Sequence, residues 1–346
     1  MDTIDRRLAL GRHAFLWACG LDVAVRKPGN VSRASAGHGM SADTFIASAC
    51  AAAGPLFERG RPVGERIEAA VAASWTEVGC NTNLGIVLLC APLAAALERL
   101  RDRASFRHEH APRDGGAAAN DEAFIDGKAL RGAMNAVLAA LDVDDARAAY
   151  RGIALANPGG LGRAEAQDVA EAPTIDLRAA MTLAAERDSI ARQYARGYGD
   201  VFDCGFAALQ HGGDTPRPVG AVVQRVFLSF LARWPDSHIV RKVGLAAAQS
   251  VTRDASAWLA RVSADASVGE DAAFAEWDEA LKAGGINPGT SADLTVCTLF
   301  AAALASPRLI GSEPSNTWHG TCVPPLDLGS LPTFGSAVAL PSGTPR

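Results

Sequence analysis

Two acids and a basic pair sit where the surrounding sequence is apolar: Asp188, Asp293 and Arg241–Lys242. Charges in such surroundings are costly unless paired or engaged with a ligand. In RDSIARQYARGY (187–198), Asp188 and Arg192 are four residues apart and share one helical face. A surface ion pair is the ordinary outcome of that spacing, but Ile190, Ala191, Tyr194 and Ala195 leave little room for a wide solvent face. PDSHIVRK (235–242) has a good helix start, Pro235 followed by Asp236 or Ser237 as cap. Arg241 and Lys242 follow on the first two turns, within reach of a phosphate. His238 between them could act as a base or ligand, although a lone histidine there is more often structural. In INPGTSADLT (286–295), Asp293 stands about one turn into a helix beside Leu294, Val296, Leu299 and Phe300. A carboxylate there supports the helix start or holds Mg²⁺, which takes oxygen ligands alongside phosphates.

A second recurrent feature is a Pro-Gly turn with an asparagine beside it: KPGN (27–30), NPGG (157–160) and NPGT (287–290). Proline fixes one backbone angle and glycine permits another that other residues avoid, so the turn is tight and its N–H groups are accessible. A single such turn is most simply a helix stop; three of one type shift the balance modestly toward anion sites at their exposed N–H groups, with Asn30, Asn157 and Asn287 beside them. In GCNTNLGIVLLCAPL (79–93), three polar residues precede an apolar run. On a continuous helix they would fan across about 200°, so the helix is expected to start after a break, with Asn83 capping it. Asn81 then has no structural task, and Gly85 leaves backbone open beside it.

These residues need a scaffold, and helical periodicity supplies it. Apolar stripes at helical spacing run through 2–25, 41–57, 63–78, 84–101, 121–141 and 145–156. Further stripes cover 174–197, 200–210, 217–234, 237–252, 253–264, 271–283 and 289–305, and nothing alternates with period two. The expected fold is all-α: a single large multi-helix bundle over 1–310, followed by a Pro/Gly/Ser-rich, extended or disordered C-terminal arm over 311–346. The polar, Gly-rich stretch 101–121 reads as an exposed loop.

Almost half of the 346 residues are hydrophobic and the net charge is −5, which suits a globular protein and argues against general nucleic-acid binding. The seven cysteines form no CxxC and no zinc-like cluster. Their odd number, without a signal peptide, points to the cytoplasm. The long uncharged run 78–97 carries Asn, Thr, Gly and Pro near its ends and reads as a core helix, so no membrane span is expected. No Walker A, GxGxxG, HExxH or nucleophile-elbow motif is present.

Taken together, KPGNVS (27–32), NTNLGIVLL (81–89), YRGIALANPGGLG (150–162), RDSIARQYARGY, PDSHIVRK and INPGTSADLT resemble the triphosphoribosyl-dephospho-CoA synthase (ATP:dephospho-CoA triphosphoribosyltransferase) family, in the family's own order. The resemblance implies an all-α transferase that joins the ribosyl C1 of ATP to the 2′-hydroxyl of dephospho-CoA and expels adenine. It implies a phosphorylated small-molecule substrate and Mg²⁺, with ATP or a pyrophosphate-activated compound. It makes Lys27, Arg241 and Lys242 phosphate ligands, and gives Asp188 and Asp293 to magnesium or substrate hydroxyls, with Asn81 and Asn83 orienting the substrate. Asn30, Asn157, Arg192 and Asn287 complete the expected site. Three departures stand out: the family's KPGLVD and NTHKG are KPGNVS and NTNLG here, so Ser32 replaces an acid and Asn83–Leu84 replace a His–Lys pair, and AGHGMS has Gly39 after His38 where the family tends to carry an acid. Such a branch also suits one-carbon cofactor synthesis, where a pyrophosphate-activated furan meets a tyramine-like acceptor. A helical scaffold that has lost its substrate is the remaining alternative. A homodimer is expected, because Trp318, Val323, Leu326 and Leu328 of the arm need a surface to cover.

Overall fold

Residues 2–100, 125–210 and 217–310 are described in this computed structural model. Asp2 opens the first helix by accepting from the backbone N–H of Asp5 at 2.9 Å. Fourteen α-helices follow among the described residues, with no strand. The first six are α1 (Thr3–Ala24), α2 (Ala42–Leu56), α3 (Val63–Val78), α4 (Leu84–Arg99), α5 (Gly127–Leu138) and α6 (Val143–Ala156). Then come α7 (Leu177–Ala184), α8 (Ser189–Ala195), a π-helical turn (Asp200–Gly205), α9 (Phe206–Gln210) and α10 (Val219–Arg233). The chain closes with α11 (Ser237–Lys242), α12 (Leu245–Ala264), α13 (Ala272–Ala283) and α14 (Gly289–Ala305). The expected loop 101–121 and C-terminal arm 311–346 lie outside the described residues.

The core is built on α14. Every residue of this helix except Gly289 and Asp293 is buried, and it packs against α1, α4 and α10. An apolar circumference of this kind requires neighbours on all sides. Phe300 meets Phe15 of α1 edge-on at 6.2 Å and Phe57 at 5.9 Å. The uncharged run of 78–97 is the buried helix α4, as expected, and no described helix is long and apolar enough to cross a membrane. A smaller apolar cluster joins α10, α11, α12 and α13 around Phe227, Ile239 and Phe274.

One interior interaction fixes α8, which carries part of the site. Pro92 lies inside α4 and has no N–H to give the carbonyl of Leu88, four residues back. The hydroxyl of Tyr194 donates to that Leu88 carbonyl at 2.6 Å, and Tyr198 donates to Leu89 O at 2.8 Å. Both tyrosines are fully buried. The pair of tyrosines in QYARGY therefore repairs the helix that the proline interrupts.

Two predicted helices are divided. The stretch 174–197 breaks into α7 and α8 because Asp188 caps α8, accepting from Ile190 N at 2.8 Å and Ala191 N at 3.1 Å. The stretch 237–252 breaks after Lys242, where Gly244 adopts φ 106°, a conformation only glycine takes readily.

Candidate active site

The three Pro-Gly turns meet around one cavity of about 700 Å³, and all three asparagines line it. KPGN and NPGT lie face to face, with Asn30 Nδ2 donating to Asn287 Oδ1 at 3.1 Å. The KPGN turn is anchored by Asp278, a fully buried acid that accepts from Gly29 N at 2.8 Å, Arg26 at 3.0 Å and Lys282 at 3.0 Å. The Gly29 amide is therefore committed to the protein, not offered to an anion as the turn's sequence suggested. The NPGG turn follows α6, whose C-cap Asn157 adopts φ 43°. It lies against α11: a Cβ at Gly159 would fall 2.7 Å from Lys242 Cε.

Three short structural links bring the charged residues of different helices to this cavity. Asp236 caps α11 through His238 N and Ile239 N, and its other oxygen accepts from Ser291 N at 2.7 Å and Ser291 Oγ at 2.8 Å. Ser237 Oγ accepts from Ser189 N at 2.9 Å. Arg241 Nη1 donates to Asp188 Oδ2 at 2.8 Å. The starts of α8, α11 and α14 are thereby tied together. Asp188, Arg241, Lys242 and Asp293 face the same cavity, joined by Asn81, Asp22, His38, Arg187 and His238.

The remaining predicted site residues go elsewhere. Lys27 is fully buried behind the cavity: its Nζ donates to the carbonyl of Asp22 and stands 3.1 Å from Asp22 Oδ1. Asn83 holds the N-cap position of α4 but makes no capping bond; its amide donates to Ser74 Oγ at 3.1 Å. Asn81 performs the task assigned to Asn83, accepting from Leu84 N at 3.3 Å, and still lines the cavity. Arg192 does not pair with Asp188. Its Nε donates to Asp200 at 2.7 Å, and its guanidinium lies 4.4 Å from the Trp234 ring centre. The i,i+4 spacing placed Asp188 on the wrong partner because Asp188 is the cap of that helix rather than a member of it.

Burial sets the electrostatics. The carboxyl of Asp293 is pushed well above the usual range by burial, then by the carboxylates of Asp22 and Asp236, against the opposing pull of Arg241. Asp22 is raised by burial, with Lys27 pulling the other way. His238 is brought down to about 4 by burial, then by Arg241, Lys242 and His38, so its ring is neutral near pH 7. At Gly85, a Cβ would overlap Asp293 Oδ2, so the glycine lets this carboxyl lie against the first turn of α4. Two buried polar atoms of the cavity residues have no partner among the described residues, Asn30 Oδ1 and Arg241 Nε, while Asp22 Oδ1 has the Lys27 ammonium 3.1 Å away. Unpaired buried groups are exceptional and point to a missing ligand or water. Neither Arg187 nor Lys242 meets a carboxylate among the described residues.

Residues 10–310 match the CitG family, ATP:dephospho-CoA triphosphoribosyl transferase. The chain belongs to this family. Its members are transferases, and this chain is one of them. The fold agrees with a crystal structure from Archaeoglobus fulgidus, provisionally named a triphosphoribosyl-dephospho-CoA synthase. That structure superposes with a TM-score of 0.53 at 22% identity, over 76% of this chain and 98% of the other. No curated protein sequence matches the chain significantly.

Within this CitG-family site, sequence reasoning missed Asp22, Arg187 and His38. Asp22 had a readable signal: it is a lone acid in the apolar run WACGLDVAV, and it proves 3% exposed. His38 had little signal, since its place depends on a bond of its Nε2 with Gly29 O at 2.9 Å.

Proposed function

We propose that the cavity binds Mg²⁺ with the triphosphate of ATP and that the protein transfers the triphosphoribosyl group to dephospho-CoA. A new bond forms from ribosyl C1 to the 2′-oxygen, the C1–N bond to adenine breaks, and the hydroxyl proton leaves with the base or to solvent. The observation that carries this reading is the mixed charge of one wall set: Arg187, Arg241 and Lys242 share a cavity with Asp22, Asp188 and Asp293. A bare polyanion would be repelled by the acids, and a bare cation by the bases. A magnesium–phosphate complex satisfies both.

The donor set suits magnesium. The acids offer only oxygen, and Asp293 already suffers from its crowding with Asp22 and Asp188, which a divalent cation relieves. Among the described residues no three acids, histidines or cysteines cluster as a complete metal site. Magnesium commonly binds through one or two carboxylates and completes its shell with phosphates and water, so Asp293 and Asp188 would hold it. When bound, it neutralises the phosphate charge. Arg241 and Lys242 hold the phosphates, with Arg187 at the same wall. Asn81, Asn157 and Asn287, and Asn30 through its unpaired oxygen, orient sugar and acceptor hydroxyls. The apolar wall of Leu84, Leu88, Ile153 and Met181 limits water around a developing cationic sugar.

Incubation with Mg²⁺, ATP and dephospho-CoA should release free adenine, measured chromatographically, and Arg241→Met should abolish the release. Absence of adenine from a protein that still binds pyrophosphate would sink this activity.

One observation favours a second reading. Of the exchanged pair Asn83–Leu84, only Leu84 lines the cavity. A leucine thus stands in the wall at the position of the lysine in the family's NTHKG motif. A donor with fewer phosphates and an apolar ring suits that wall, as in one-carbon cofactor synthesis, where a pyrophosphate-activated furan meets an amine or phenol oxygen. Release of pyrophosphate from such a donor, without adenine from ATP, would select it. We also propose a cytoplasmic homodimer; mass measurement of the full chain in solution tests the dimer.

A further inference from the structure

A second cavity, of about 890 Å³, lies between the π-helical turn, α9, α10 and α12 and shares no lining residue with the first. Its wall holds Arg225, which is only 3% exposed. The Nε of Arg225 donates to Ala208 O at 2.7 Å and its Nη2 to Leu209 O at 3.3 Å. Its Nη1 has no hydrogen-bond partner among the described residues. Among the described residues no carboxylate pairs with this buried charge, and the side chain loses part of its basicity, to about 10, through burial and the neighbouring cation Arg217. An uncompensated guanidinium is among the costliest groups to bury.

The acids of the same wall do not relieve it. Asp200 accepts from Arg192 and from Gln193, each at 2.7 Å. Asp203 accepts two bonds from Arg131, at 2.7 and 3.2 Å. Neither arginine lines the cavity, so both acids are neutralised from behind. Arg233, at the exposed side of the wall, rests 5.1 Å from the Trp234 ring centre and has no carboxylate partner among the described residues. The balance that remains inside the cavity is positive. Ser229, one helical turn from Arg225, and Ser256 on α12 share this wall, with their hydroxyls donating to the carbonyls of Arg225 at 2.7 Å and Thr252 at 2.9 Å.

We propose that this second cavity is an anion site for a phosphate or pyrophosphate group, anchored by Arg225 with Arg233 at its rim. The guanidinium fork suits phosphate oxygens, and the group bound could be free or carried on a nucleotide. The site is separate from the transferase cavity and does not depend on which substrate that cavity takes.

The test is calorimetric titration of the full chain with inorganic phosphate, inorganic pyrophosphate and ATP, each in turn. Wild-type protein should bind pyrophosphate at two sites. Lys242→Ala should weaken one, and Arg233→Ala should weaken the other by about tenfold, the cost of one charge-assisted hydrogen bond. Arg225→Met should remove that second site; Arg233→Ala, a surface change, carries the test if Arg225→Met does not fold. Binding of ATP alone at the second site would identify a nucleotide as the carrier, and binding of phosphate or pyrophosphate would identify the free anion. A single wild-type site that Lys242→Ala weakens and Arg233→Ala leaves unchanged, or a titration of Arg233→Ala that superimposes on wild type, overturns the proposal.

Discussion

Lys27 and Lys242 look alike in the sequence: each is a basic residue in a block that the family resemblance covers, and each suits a phosphate. In the structure they do opposite things. Lys27 is fully buried and balances Asp22 within the core, whereas Lys242 is exposed along the NPGG turn and faces the cavity. The difference lies in what surrounds each side chain. Lys27 follows α1, a helix buried along its second half, and its nearest oxygen acceptors are in that helix. Lys242 ends a six-residue helix whose far side is open. A lysine in a ligand-rich motif can therefore serve the ligand indirectly, by keeping a wall carboxylate charged and in place.

This contrast can be broken by substitution. Lys27→Met leaves Asp22 buried without its counter-charge and should destabilise the fold by about 3–5 kcal/mol in urea denaturation. Adding Asp22→Asn should recover part of that loss. If Lys27→Met folds as stably as wild type and loses only ligand affinity, the assignment of Lys27 to the core is wrong. Tyr194→Phe extends the structural side of the comparison. It leaves the Leu88 carbonyl without a partner beside Pro92 and should cost about 1–3 kcal/mol, with the loss read by the same denaturation. Lys242→Met belongs to the other side: stability should stay within about 0.5 kcal/mol of wild type, while Mg²⁺–ATP binding weakens about tenfold. A large shift in melting with unchanged binding would reverse its role.

A further effect concerns pH. The His238 imidazole is depressed to about 4 from 6.5, so in that interval the unfolded chain takes up a proton that the native histidine refuses. Its contribution to stability is present above about 6.5 and is lost as the pH falls toward 4. Comparing denaturation midpoints across this range, His238→Gln should show a shallower loss than wild type. Parallel curves would mean that the ring is solvated in the native state.

Much of the helical architecture was legible because apolar periodicity reports directly on burial. Val63–Val78 was read at its true limits, and the start of α11 at Pro235–Asp236 was visible from cap chemistry. The reading failed where a local rule met a competing partner. Asp188 and Arg192 satisfy the i,i+4 rule, but capping of α8 and the Arg241 ion pair claim Asp188 first. Asn83 satisfies the rule for a cap, but Ser74 of α3 takes its amide, and Asn81 receives the Leu84 N–H.

The sequence by itself determined the all-α class, the buried character of α4 and α14, and the set of polar residues that apolar surroundings made expensive. Those properties depend on composition and on spacing within about 20 residues, which a helix reads locally. Tertiary structure alone decided which of those polar residues share a cavity. Asn30 meets Asn287, and Arg241 meets Asp188, across hundreds and tens of residues of chain. Such pairings depend on how buried helices cross, and no local spacing encodes that. The same packing sent Lys27 inward to Asp22 and left Lys242 at the cavity wall, separating two lysines that composition and motif could not tell apart.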